Sequence, residues 1–427
     1  MTQHYTRALK RLPLALALLG ASGYSLAVDW TGYFRAGPGL TSNATSRACY
    51  GLNGGSSGMK YRLGNECDFY GEFQLSQGFK KDGIDYKVTL MTDHYTAATD
   101  TNGDGLKIAQ MFAEAKGFDI APEATFWIGK ERGRRGDVHI VDTYFTEMVG
   151  VGAGAKGFKV GPGALGVARG DVHIVDTYFT EMVGVGAGAK GFKVGPGALG
   201  VAYYKTEASA VLPGHRSNIE WVGIDSNPGG KLNVFATVTK GQFAGGTKGA
   251  GLAIRHDQEK LLGSSLNNTL WLQYAQGSAG LNSNFGDLTA GSKAKSYRIV
   301  ESINWQQGPF GGQALILLAR EKNKLGISTK SFSVGGRASY ALSRHFKMVG
   351  ELGVSQYKPD GGQTARLTKL TIAPTLSVGS DFFSRPEFRL YATMAKWNKA
   401  AGNVTGQAAF DDKTSGNSLG AQVEWWF

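Results

Sequence analysis

Proline and cysteine are scarce in this chain of 427 residues, at 11 and 2, and charged residues make up only 19% of it. Two cysteines exclude a small disulfide-stapled scaffold and a thiolate zinc array. Beyond the first residues no apolar run is long enough for a membrane-spanning helix, which needs roughly 20 residues. Charged or strongly polar side chains interrupt every later apolar stretch. Basic pairs such as Lys80–Lys81 and Arg134–Arg135 are too dispersed for a nucleic-acid stripe. His139 and Asp142 invite a hydrolase reading, but no nucleophile elbow or metal-ligand cluster accompanies them, so no enzyme, metal or cofactor is expected. The run Asp100–Gly105 imitates half of a calcium loop, yet Met111 stands where the closing glutamate belongs.

What is present begins with a leader. Arg7, Lys10 and Arg11 precede the apolar run Leu12–Leu19 and then Ser25, Leu26 and Ala27. That is the layout of a secretory signal peptide over residues 1–27, with cleavage after Ala27; the run is too short to read as an anchor. The leader holds three of the basic residues and no acidic ones, so the formal +12 becomes about +9 over residues 28–427. A net charge of that sign can favour anions or lipopolysaccharide, or merely keep the chain soluble during export, and it selects no substrate. Cys49 and Cys67 fit an oxidising compartment and can pair in only one way. That bridge is worth about 3 kcal/mol on a chain-entropy basis.

The exported part is rich in glycine, with 63 in the chain, and in short alternating segments. At the C-terminus Leu419, Ala421, Val423, Trp425 and Phe427 share one face of a strand; Ser418, Gly420, Gln422, Glu424 and Trp426 share the other. Trp30, Gly32, Phe34 and Ala36 alternate in the same way with Asp29, Thr31, Tyr33 and Arg35. So do Phe69, Gly71, Phe73 and Leu75 with Tyr70, Glu72 and Gln74. Such segments recur along the whole length with no helical domain between them. Short Gly/Pro turns (Gly161–Gly163) alternate with long polar loops, as at the two rims of a membrane barrel whose apolar face meets lipid. The length suits one domain of about 16 to 20 strands.

Residues 135–168 and 169–202 are identical, position for position. The unit holds a long loop, a strand, a turn and the start of another strand. Two structural outcomes are open: a second hairpin added to the barrel, or one copy extruded as a loop.

Several runs are distinctive. They are Val28–Gly37, Lys60–Cys67 (KYRLGNEC), Trp127–Lys130 followed by Asp137–Tyr144, Ser384–Arg389 and Gly420–Phe427. Together they make the chain resemble maltoporin, the sugar-specific outer-membrane porin family. The resemblance implies an all-β, transmembrane antiparallel β-barrel of about 18 strands, or 20 with the duplicated hairpin, and an inward-folded constriction loop. It implies a homotrimer whose lumen carries an aromatic row along which maltodextrins slide. Matched residue by residue, that row holds Tyr33, Tyr70, Tyr95, Phe383 and Trp426, with Tyr95 standing in for an aromatic contributed by a neighbouring subunit. The polar track it implies is Arg35, Arg62, Glu72, Arg135, His139, Asp142, Tyr144 and Glu147. The repeat would duplicate part of this track as Arg169, His173, Asp176, Tyr178 and Glu181. Period-two alternation by itself places Tyr33, Arg35, Tyr70, Glu72 and Trp426 on the lumen face. For Trp426 a place in an interfacial girdle is the competing reading. A general or anion-preferring porin is the competing function.

Overall fold

A computed structural model describes residues 28–52, 60–98, 103, 105–119, 122, 125–132, 136–146, 149–156, 184–194, 197–206, 212–282 and 285–427. Its strands are β1 (Asp29–Ala36), β2 (Gly39–Thr41), β3 (Phe69–Lys81), β4 (Ile84–Thr96), β5 (Lys107–Lys116), β6 (Thr125–Arg132), β7 (Gly136–Asp137), β8 (Tyr144–Thr146), β9 (Val149–Lys156), β10 (Gly184–Val194) and β11 (Gly197–Thr206). They continue as β12 (Gly214–Asn227), β13 (Gly230–Gly241), β14 (Lys248–Gln258), β15 (Leu266–Gly277), β16 (Lys295–Gln307), β17 (Phe310–Lys322), β18 (Ser328–Ser343), β19 (Phe346–Pro359), β20 (Ala365–Ser377), β21 (Glu387–Trp397) and β22 (Ser415–Trp426). All but β7 and β8 belong to one sheet.

The ladder returns on itself. β1 pairs with β3 on one side and with β22 on the other, Tyr33 facing Trp426 and Arg35 facing Glu424. β2 continues β1 along β22, so the wall is about 19 strands around. A closed ladder with an odd number of strands cannot be antiparallel throughout. Among the described residues the one parallel neighbour pair is β9 with β10, where Ala153, Gly154, Ala155 and Lys156 face Ala187, Gly188, Ala189 and Lys190. Each of these residues faces its own counterpart in the other repeat copy. Strands of Gly and Ala carry few side chains to fix a register, and here two identical strands lie side by side. The described part of the repeat therefore adds one wall strand, between the two outcomes left open by the sequence. Arg135, Glu147, Arg169, His173, Asp176, Tyr178 and Glu181 lie outside the described residues.

The solvation pattern is that of a soluble protein turned inside out. In β21 the side chains of Glu387, Arg389, Tyr391, Thr393 and Trp397 are buried, while Phe388, Leu390 and Met394 between them are 56%, 64% and 52% exposed. Ile128, Ile219, Leu252, Ile299, Leu318, Leu352, Ile372 and Leu419 continue the exposed apolar belt around the wall. Water would penalise that belt; lipid does not. No described helix is long and apolar enough to cross a membrane.

Connections divide by rim. At one end most turns are of two residues, with longer connections at 117–124, 259–265 and 378–386. Asp82 and Gly83 join β3 to β4 with positive φ at both positions, the two-residue turn that matches strand twist. At the other end residues 42–68, 133–148, 278–294 and 398–414 form long connections.

Deleting residues 169–202 removes β10 and Gly197–Ala202 of β11, for which the identical Gly163–Ala168 then stands, so β9 is expected to connect through Gly161–Gly163 to β11 in an even, all-antiparallel wall. The shortened chain is expected to fold, to migrate heat-modifiably on gels, and to unfold in denaturant no earlier than the full chain.

Candidate functional site: the lumen and its charge lattice

Two segments from the long-loop rim fold into the lumen. One is the described part of residues 42–68, closed by the Cys49–Cys67 disulfide with its Cα atoms 5.9 Å apart. The other is residues 136–146, the constriction loop expected from the sequence. They bind each other first. Tyr61 forms a β-bridge with Val141, and the Arg62 N–H donates to the Ile140 carbonyl at 3.0 Å. The Lys60 N–H donates to Asp142 Oδ1 at 3.0 Å, and Lys60 Nζ lies 3.5 Å from Asp142 Oδ2.

Each segment then grips a different part of the wall. Val138, Ile140, Val141 and Phe145 pack on Trp271, Val300, Leu315 and Leu317, inward residues of β15–β17 that are apolar where a lumen is ordinarily polar. Those exceptions make a dry seat for the loop. Tyr61 lies against Gly335 and Gly353, which face each other across β18 and β19, and a Cβ on either would collide with its ring. The Leu63 N–H donates to Glu351 Oε1 at 2.9 Å while its carbonyl accepts from Lys369 Nζ at 2.7 Å.

Between the two segments lies a lattice of buried charge centred on Glu424. Its Oε1 accepts from Arg62 Nη2 at 2.9 Å and from the Tyr33 hydroxyl at 3.2 Å. Its Oε2 accepts from Arg385 Nε at 3.1 Å and Arg389 Nη2 at 2.5 Å. Glu387 lies between Lys347 at 2.7 Å and Arg385 at 3.1 Å, and also pairs with Arg389. Arg62 reaches Glu66 at 2.5 Å; Arg35 bridges Glu66 at 2.8 Å and Asp68 at 2.5 Å. Glu72 pairs with Arg132 and accepts from the Tyr70 hydroxyl. An isolated ion sealed this deeply would cost several kcal/mol; alternating signs make the assembly tolerable.

Two ionisation states outside the wall strands follow. Burial pushes the His139 imidazole well below its ordinary value of 6.5; Glu424 opposes this, and Arg385, Arg62 and Arg337 reinforce it. Arg385 Nη2 lies 2.9 Å from His139 Nε2, and a guanidinium can only donate. Nε2 is therefore the acceptor of a neutral ring. Burial alone would raise the Asp68 carboxyl, but Arg35 and Lys60 outweigh it and hold it below its ordinary value.

The structure brings most of the sequence-derived site together. Tyr33 and Tyr70 form one cluster, with Tyr95 and Trp426 packed against it. His139 connects this cluster to Phe383, its ring 5.4 Å from Trp426 and 5.9 Å from Phe383. Arg385 lies over the Trp426 ring at 4.3 Å. Trp425 is exposed on the outer face, whereas Trp426 packs against Tyr33 and Tyr70. Tyr33 and Tyr70, with Arg35, Arg62 and Glu72, are buried beneath the folded-in segments, whereas Tyr95, Phe383 and Trp426 keep partial exposure. His139 and Asp142 are not a catalytic pair: Asp142 is engaged with Lys60 and His139 with arginines. Tyr144 sits half-buried in β8.

The LamB porin family matches residues 28–169 and 167–427, two segments that meet where one repeat copy gives way to the next. The chain belongs to the LamB porin family. It is a porin of the bacterial outer membrane, and its family and fold are those of a channel rather than an enzyme. Among solved structures it is similar to an anion-selective porin from Comamonas acidovorans, at 10% identity and a TM-score of 0.45, covering 94% of this chain and 99% of that one. It is also similar to a loop-deletion mutant of OmpT, an outer membrane protein of Vibrio cholerae, at 9% identity and a TM-score of 0.44, covering 95% and 100%. Likeness at that level says nothing further about function.

Sequence reasoning missed Glu424, Arg385, Glu387, Arg389, Lys347, Glu351 and Lys369 as site residues. The signal was available for three of them: Glu424 is on the wet face of β22, and Glu387 and Arg389 share the inward parity of β21. What alternation cannot supply is which charges meet across the lumen.

Glu424→Gln is expected to leave three buried arginines undercompensated and to destabilise the barrel by about 3–5 kcal/mol in denaturant unfolding. Because His139 is neutral when folded but titrates near 6.5 when unfolded, its contribution to stability is full above about pH 6.5 and is lost as pH falls below it. His139→Gln is expected to flatten the dependence of unfolding free energy on pH between about 6.5 and 5, where one such group contributes at most about 1.4 kcal/mol per pH unit.

Proposed function

We propose that the chain carries maltodextrin-type sugars across the outer membrane by facilitated diffusion, as a homotrimer whose mature chain begins at Val28. The observation that carries this reading is the gathering of Tyr33, Tyr70, Tyr95 and Trp426 into one cluster, with Phe383 reached through His139. Sugar rings present apolar C–H faces and polar rims. Half-exposed aromatic faces suit the first; arginines and carboxylates suit the second, donating to and accepting from hydroxyls. Each stack is worth about 0.5–1.5 kcal/mol by analogy with aromatic pairs. Several weak sites in series permit entry without trapping. Tyr95, Phe383 and Trp426 are the faces within reach of a passing sugar, while Tyr33 and Tyr70 support them from beneath.

An anion-preferring pore is the second reading, favoured by Arg298. This buried guanidinium lies over the Phe145 ring at 5.0 Å and donates to Gln273, and among the described residues its Nη2 has no hydrogen-bond partner.

Planar-bilayer conductance separates the two. Millimolar malto-oligosaccharide is expected to block the current reversibly, and Tyr95→Ala or Trp426→Ala to weaken the block roughly 2- to 10-fold. Current indifferent to every sugar tried, together with strong anion selectivity, would favour the second reading.

A further inference from the structure

We propose that the outer wall of β16–β20 at the long-loop rim binds the phosphorylated headgroup of lipopolysaccharide. This rests on the outer-membrane placement of the barrel and is independent of what passes through the lumen.

The outward side chains here form rows across neighbouring strands. One row is Tyr297, Arg320, Lys330 and Lys358, each facing the next in register. The three cations are exposed, and directly facing strands are only about 5 Å apart. Like charges set opposite each other in this way are destabilising. Nearer the rim Lys295 faces Lys322, a second cation pair. Among the described residues none of Arg320, Lys330, Lys358 or Arg366 forms an ion pair. Glu321 has the opposite, inward parity, and Asp360 is turned to accept the Ser328 N–H at 3.3 Å. The repulsion along the row is thus left for an anion from outside to relieve.

What lies beside the row fixes the kind of anion. Two residues further from the rim the outward row is Ile299, Leu318 and Phe332 on β16–β18, continuous with the exposed apolar belt, and it ends on Gln356 and the exposed Arg366 on β19 and β20. At the level of the cations Tyr297 packs against Tyr274, ring centres 5.1 Å apart, as aromatics do where lipid tails give way to headgroups. A groove of about 490 Å³ is lined by Tyr297, Ile299, Leu318, Lys330, Phe332 and Lys358. A ligand that fits carries negative charge at one end and acyl chain at the other. The row sits at the rim of the 278–294 and 398–414 connections, the external side of an outer-membrane barrel. The lipid of that leaflet is lipopolysaccharide, whose phosphates suit charge-assisted hydrogen bonds from Arg and Lys.

The test uses the full-length trimer in detergent, with purified lipopolysaccharide, the same lipid with its phosphates removed enzymatically, and phosphatidylglycerol as probes. Binding is read by native mass spectrometry and by the shift in unfolding temperature. The expected result is that intact lipopolysaccharide binds and stabilises, that dephosphorylation abolishes both effects, and that R320Q/K330Q/K358Q weakens binding roughly 100-fold, from about 5-fold per cation. The triple variant is expected to keep the channel current of the unaltered protein, since none of its changed side chains points inward. Equal binding of dephosphorylated lipid or of phosphatidylglycerol by the unaltered protein would overturn the proposal, even if the variant failed to fold. So would a folded triple variant that binds as tightly as the parent. Either failure would leave the sugar reading untouched, because that reading is tested by current block alone.

Discussion

An ionised side chain sealed inside protein must meet its opposite, and in this barrel that requirement couples wall to loop. Glu424 on the last strand holds Arg62 from one folded-in segment and Arg385 and Arg389 from the wall side. Arg62 in turn holds Glu66 and touches the His139 carbonyl of the second segment at 3.0 Å. Breaking such a set by removing one partner costs far more than the set contributes when whole, because the remaining charges stay buried. The loops are therefore held in the lumen by a penalty on leaving as much as by an attraction to staying. The aromatic cluster is built on top of this arrangement, since Tyr33 and Tyr70 each give their hydroxyl to a lattice carboxylate.

Much of this was legible in the sequence, and for a simple reason. Period-two alternation in β1, β3 and β22 is enforced by two solvents of opposite character, so Tyr33, Arg35, Tyr70, Glu72 and Trp426 could be placed inside from spacing alone. The resemblance around Asp137–Tyr144 marked one inward segment and put Arg62 on the polar track, but the interval between Cys49 and Cys67 reads from the sequence as an exposed loop, whereas Tyr50, Leu52, Tyr61 and Leu63 are buried. The partners were hidden: Glu351 and Lys369 meet Leu63 across 288 and 306 positions of chain. Trp271, Val300, Leu315 and Leu317 were hidden too, because an inward apolar residue in a porin strand looks like a defect until the loop that covers it is known. The burial of Tyr33 and Tyr70 has the same cause. Alternation assigns a face, but not what lies on top of it.

The repeat illustrates a different limit. Composition could foresee that a Gly/Ala-rich strand would be permissive, but not that β10 would lie parallel to β9 with each residue facing its own copy. A closed wall offers no free edge, so an extra strand has to pair on both sides. The parallel pair is how an odd count closes.

The lattice holds the constriction loop against the wall, and cysteine accessibility tests that most directly. Ile140 is fully buried in the loop seat. Ile140→Cys in intact outer membranes is predicted to resist a membrane-impermeant maleimide, and to become reactive when Glu424→Gln is added. Rapid labelling of Ile140→Cys with Glu424 intact would contradict the account.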